Sequence, residues 1–163
     1  MMRERLVAYR ANPRAIGNAP PNRWPQHILF YRDGVSESQY GMVRHVELPQ
    51  IVRACQAEMQ VANGETMPAI TIVIVGKRHH TQFYRRDPQN PALNLAQNLN
   101  SGLVVDTTVV YPKQFNFYIQ SHDCGIGTAR SAHYVVLENG MNYTADELQT
   151  IVRTFPVAVR FLY

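Results

Sequence analysis

The sequence predicts an α/β domain built on a mixed sheet with flanking helices, and three observations carry that expectation. A short apolar run, a capped helical pattern and a second apolar run follow one another as β-α-β; a strand-rich stretch comes next; a capped amphipathic helix follows it. The 163 residues suffice for one domain with a real core and are too few for two of ordinary size.

In chain order, Leu6, Val7 and Tyr9 among charges read as the tail of a helix, and "NPRAIGNAPPNRWP" then breaks every regular pattern as a loop. "HILFY", residues 27 to 31, has strand length, and Asp33-Gly34 marks the turn after it. Ser36 with Gln39 makes a capping box, so a helix starts there and turns Met42, Val43, Val46, Ile51, Val52 and Cys55 inward, with Pro49 as a kink or interruption. "AITIVIV", residues 69 to 75, is almost entirely apolar and β-branched, which suits a central strand buried on both faces. Residues 88 to 101 turn to Pro, Asn and Gln without periodicity, a variable surface loop. "LVVDTTVVY", "FNFYIQ" and "HYVVLE" are three further strands. Thr144 and Glu147 make a second capping box, and Leu148, Ile151, Val152 and Phe155 repeat at helical spacing until Pro156.

Composition narrows the class. With 45% hydrophobic and 17% charged residues the chain is neither a disordered tail nor an array of charged helices. No apolar stretch reaches bilayer length, and "MMRERLVAYR" carries charges where a signal peptide needs an apolar core, so neither a membrane nor that secretory route is expected. Cys55 and Cys124 lie far apart without CxxC spacing, which fits a reduced compartment. The formal charge of +4 and pI near 9.3 favour a polyanionic partner. That charge is concentrated: "GKRHHTQFYRRD", residues 76 to 87, holds Lys77, Arg78, Arg85 and Arg86.

Ligands of open α/β sheets collect beyond the carboxyl ends of the strands. Asp33, two residues past "HILFY", stands at that edge, where a carboxylate can ligate Mg²⁺ beside a phosphate substrate. Asp-Gly after a strand is equally ordinary turn chemistry.

Several separated segments point further. "ILFYRDGVSESQ" resembles the stretch of Argonaute/PIWI proteins that carries the second metal-binding aspartate of their RNase H-like slicer site. In the same order, "TIVIVGKRHHTQFY" is similar to the family's next buried strand, "VVDTTVVYPKQFNFYIQSH" to its "VDT…P…FDFYL.SH", "GTARSAHYVVL" to its "GT.RP.HY.VL", and "YTADELQTIV" to its "S.DELQ" helix. The resemblance runs from about residue 1 to 163, weakest over the loop from Pro88 to Ser101, and implies a single partial PIWI domain, an RNase H-like fold truncated at both ends.

What the resemblance implies about chemistry is uneven. Asp33 would be a catalytic, Mg²⁺-binding member of an incomplete site, because the family's other ligands align outside residues 1 to 163. A two-metal phosphodiesterase needs several ligands converging on a pair of cations, so one aspartate cannot hold it. Glu4 aligns with the helix after the family's glutamate and is not assigned. Asp106 falls in the strand-like "VDT", Asp146 in a helix cap, and Asp123 where the family usually has a small residue, so none replaces the missing acids. His79 and His80, adjacent at a strand end, point to opposite sides, which suits one histidine on a phosphate better than a zinc site.

The backbone-reading residues are better retained. Lys77, Arg78, His122, Arg130 and Arg160 match family positions that contact guide phosphates, and such contacts give affinity without sequence preference. Ile126, Gln82 and Ala158 replace polar residues; three lost contacts at ~0.5–1.5 kcal/mol each would weaken guide binding more than tenfold if additive. The implied function is contact with guide or guide–target RNA backbone in gene silencing, cytoplasmic with the nucleus as an alternative, and without cleavage by the chain alone. Two alternatives remain: a piece of a longer or split slicer endoribonuclease, and a module that docks Trp-containing peptides of silencing partners near Leu6, Tyr9 and Trp24.

Overall fold

The computed structural model describes residues 2–11, 24–59, 66–84, 89, 98–124 and 127–154. Helix α1 (Met2–Ala11) is followed by β1 (His27–Asp33), three short helical segments that include α2 (Tyr40–Met42), then α3 (Leu48–Met59), β2 (Ala69–Gly76), β3 (Val104–Val105), β4 (Asn116–Ile119), β5 (Ala132–Asn139) and α4 (Ala145–Thr154). The strands form one mixed sheet in the order β1-β2-β5-β4-β3. β1 and β2 run parallel, with Asp33 opposite Val75; every other pairing is antiparallel. β1 is an edge of this sheet among the described residues.

The sheet separates two apolar layers. Alternation along the strands sends Val73, Val75, Phe117, Ile119, Tyr134 and Val136 to one face, where Leu148 and Val152 of α4 cover them. The opposite face carries Ile70, Ile72, Ile74, Val135 and Leu137 against Leu6 of α1 and Ile51, Cys55 and Met59 of α3. β2 is buried on both faces and paired along both edges, the environment its almost wholly apolar sequence requires, although β5 occupies the middle of the five strands.

The region after β1 departs from a single α-helix. A 3₁₀ turn (Glu37–Gln39) leads into α2 (Tyr40–Met42), a π-helical turn (Val43–Glu47) and then α3. Gln39 Oε1 accepts the Ser36 backbone N–H at 3.1 Å, so the capping pair forms but opens a 3₁₀ turn. Pro49 does not interrupt the path: it falls just after the π turn, where the i→i+5 pattern already displaces the ladder that proline cannot join. The extra residue rotates the apolar stripe. Val43 and Ile51, eight apart, both reach the core, whereas Met42 and Val46, expected inward, are 43% and 49% exposed.

The "LVVDTTVVY" run yields a strand of two residues only. Val104 and Val105 pair with Ile119 and Tyr118, and the chain then bends through Thr108, whose φ of 66° no strand tolerates. Asp106, expected within a strand, lies past its end and accepts Gln149 Nε2 of α4 at 3.0 Å. The second capping box is realised: Glu147 N–H donates to Thr144 Oγ1 at 3.3 Å, and Glu147 Oε2 accepts the Thr144 N–H at 2.9 Å. Phe155 and Pro156, expected at the end of that helix, lie outside the described residues.

Candidate nucleic-acid interface

β1 runs on to Asp33 itself, so the aspartate is the last residue of the strand rather than two beyond it. Parallel pairing brings the carboxyl ends of β1 and β2 side by side. A cleft of ≈ 530 Å³ opens there, lined by Asp33, Gly34, Ser36 and Gln39 from one chain segment and by Gly76, Lys77 and Arg78 from the other. Asp33 is fixed from two directions. Its Oδ1 accepts the N–H of Gly34 at 2.7 Å, and its backbone oxygen accepts Arg32 Nη1 at 2.6 Å. Gly34 has φ +72°, the left-handed turn that its lack of a side chain permits. Arg32 itself projects to the other face and pairs with Glu47, Nε to Oε2 at 3.0 Å. Turn chemistry and site placement therefore coexist at Asp33.

The cleft suits an anion better than a bare cation. Asp33 is its one carboxylate against two cations, and among the described residues no cluster of three or more His, Cys, Asp or Glu side chains is placed to hold a metal. The described residues thus do not fit a two-metal site. Asp123 is engaged elsewhere, its Oδ1 accepting the Ser101 N–H at 2.7 Å, and Asp146 sits in the first turn of α4.

The remaining basic candidates are distributed. Arg130 lines a small neighbouring cleft with Thr81, Gln82, Phe83 and Thr128. His122 lies in neither cleft and is exposed, its Nδ1 3.3 Å from Ser121 Oγ. Arg160, Ile126 and Ala158 lie outside the described residues, as do Arg85 and Arg86. His80 is exposed, while His79 turns inward and bonds Ser131 O through Nε2 at 2.7 Å. The two histidines do diverge, leaving His80 as the one available to solvent.

Sequence reasoning missed the residues that hold these segments in place. Asn98 Nδ2 donates to Cys124 O (3.0 Å) and Gly127 O (2.7 Å) while its Oδ1 accepts Ala129 N–H at 2.7 Å, bracing the turn that leads to Arg130. Fully buried Gln120 donates to His122 O at 2.6 Å and accepts Ser131 Oγ at 3.0 Å. Its place as the last residue of the apolar "FNFYIQ" run was the available signal, since a polar group buried there must find partners.

A family model described as the Piwi domain matches residues 1–157. The chain belongs to the Piwi domain family. Protein argonaute 5 of Arabidopsis thaliana is 40% identical over 152 residues, covering 93% of this chain and 14% of that protein. Protein argonaute 7 of the same plant is 43% identical over 128 residues, covering 78% of this chain and 12% of that protein. Among solved structures, Kluyveromyces polysporus Argonaute with a guide RNA is similar at TM-score 0.72 and 27% identity, over 92% of this chain and 18% of that one. The chain thus spans a small part of the length of these relatives.

Proposed function

We propose that this piece of a Piwi domain binds the phosphate backbone of a guide RNA, or of a guide paired with its target RNA, in RNA-mediated gene silencing, and does not cleave RNA alone. The observation that carries this reading is the cleft in which Lys77 and Arg78, at the end of β2, face the end of β1. Two cations just past the end of β2 neutralise phosphates and release counterions whatever the base sequence. The structure of the yeast relative with a guide RNA supports the choice of ligand. His122, Arg130, Arg160 and exposed His80 are the further contacts we assign.

Asp33 would serve as a Mg²⁺ ligand only with acids supplied from elsewhere, so no cleavage step is assigned to this chain. The peptide-docking alternative has less support. Leu6 is 3% exposed in the core, and Trp24 lies under Arg10, whose Cζ is 4.9 Å from the ring centroid.

The test is binding of two ~21-nucleotide single-stranded RNAs of unrelated sequence, length as in a small guide, with Mg²⁺ present. Backbone reading predicts equal affinities and intact RNA. A strong preference for one sequence, or Mg²⁺-dependent cutting lost in Asp33→Ala, would contradict it.

A further inference from the structure

We propose that His79 is a positioning residue that locks the Lys77–Arg78 segment to the Arg130 segment, so that two separate basic elements act on one stretch of nucleic-acid backbone; this rests on the function proposed above. His79 follows directly on Arg78, and its bond partner Ser131 follows directly on Arg130. These segments come from different parts of the chain and line different clefts. A 2.7 Å bond from His79 Nε2 to Ser131 O joins them.

The chemistry of the bond fixes the ring. A carbonyl oxygen only accepts, so Nε2 carries the proton and Nδ1 presents a lone pair. Nδ1 is buried without a partner, which an acceptor tolerates better than an N–H donor would. Packing removes the remaining freedom. The His79 ring meets Tyr118 edge-on, centroids 5.2 Å apart at 75°, and Tyr118 is itself stacked on His133. Behind Ser131 O, the Ser131 hydroxyl donates to buried Gln120, which also holds His122 O. His79 therefore bonds the backbone beside Arg130, and Ser131 and Gln120 connect that point to the backbone of His122.

The experiment uses the whole chain with His79→Leu, which cannot donate; His79→Asn, too short to reach Ser131 O, serves where the leucine variant does not fold. His79→Gln, whose amide nitrogen replaces Nε2, is the conservative rescue. NMR of the wild type should show the Nε2–H tautomer, and the leucine variant should shift the Ser131 carbonyl. In single-stranded RNA binding over a salt series, loss of the lock should lower the slope of log affinity against log salt by about 0.7, one phosphate contact. Arg130→Ala added to His79→Leu should then cost nothing further, and His79→Gln should restore the slope. A defect of stability alone would reduce the binding fraction and leave the slope unchanged. An Nδ1–H tautomer, or a folded variant with unchanged slope and a full additional Arg130→Ala loss, would overturn the role of His79. A wild-type chain that binds no RNA would overturn the function itself and this role with it.

Discussion

His133 lies face to face on Tyr118, ring centroids 4.2 Å apart and planes 11° apart. Its Nε2 sits 3.0 Å from Asn116 Oδ1. Asn116 is oriented by its own amide, which donates to Tyr111 O and Gln114 O, so Oδ1 accepts and His133 Nε2 donates. His133 lies opposite Gly76, the residue before Lys77, and so this stack is part of the floor from which the basic segment leaves the sheet.

Burial, and secondarily the nearby His79, push the His133 pKa from the usual 6.5 down to about 4. Between those values the unfolded chain binds a proton that the folded chain refuses, so folding loses stability as pH falls from 6.5 toward 4. Denaturant unfolding at pH 7 and pH 5 should show the lower midpoint at pH 5, with the difference reduced in His133→Phe. A variant that keeps the full pH dependence would assign it to other groups.

Gly140 tightens the turn between β5 and α4. Its N–H donates to Ile70 O at 3.0 Å, and a Cβ there would fall 2.8 Å from Ile70 N and closer still to Ile70 O. Backbone atoms of β2 cannot yield as a flexible side chain would. Gly140→Ala should therefore destabilise by about 1–3 kcal/mol, read as a lower urea midpoint at unchanged m-value.

Asn98→Ala removes three hydrogen bonds from the turn before Arg130. Those partners are near the surface and regain water, which limits the stability cost to roughly 1–2 kcal/mol. The larger effect should be on the Arg130 loop: faster amide hydrogen exchange at residues 127 to 130 and weaker RNA binding in a protein that remains folded. Unchanged exchange there would show that the turn holds itself.

Local signals made much of this architecture readable. "AITIVIV" declares a doubly buried strand because every residue but Thr71 is apolar, and Thr144 with Glu147 declares a helix start because the capping bonds span three residues. What escaped depends on partners distant in sequence. The place of β5 at the centre of the sheet is set by pairing with both β2 and β4. The phase slip at Val43–Glu47 has no local sequence signature, so Met42 and Val46 were expected inside. "LVVDTTVVY" is rich in β-branched residues, yet past Val105 Asp106 turns to Gln149 and the chain leaves the sheet. The family-like segments placed Asp33, Lys77 and Arg78 at strand ends, and the structure brings them into one cleft; Asn98 and the His79–Ser131 bond act through contacts that polar loop residues do not advertise.

The most direct measurement is filter binding of the whole chain to a 5′-labelled ~21-nucleotide single-stranded RNA over a salt series, beside Lys77→Ala/Arg78→Ala and Lys77→Glu/Arg78→Glu. Backbone binding in the strand-end cleft predicts affinity that falls steeply with salt. The alanine pair should lower the slope by about 1.4, two contacts at roughly 0.7 each on a single strand, and the charge-reversed pair should abolish binding. Affinity that is indifferent to salt, or equal in all three folded proteins, would contradict the assignment of this cleft to nucleic acid.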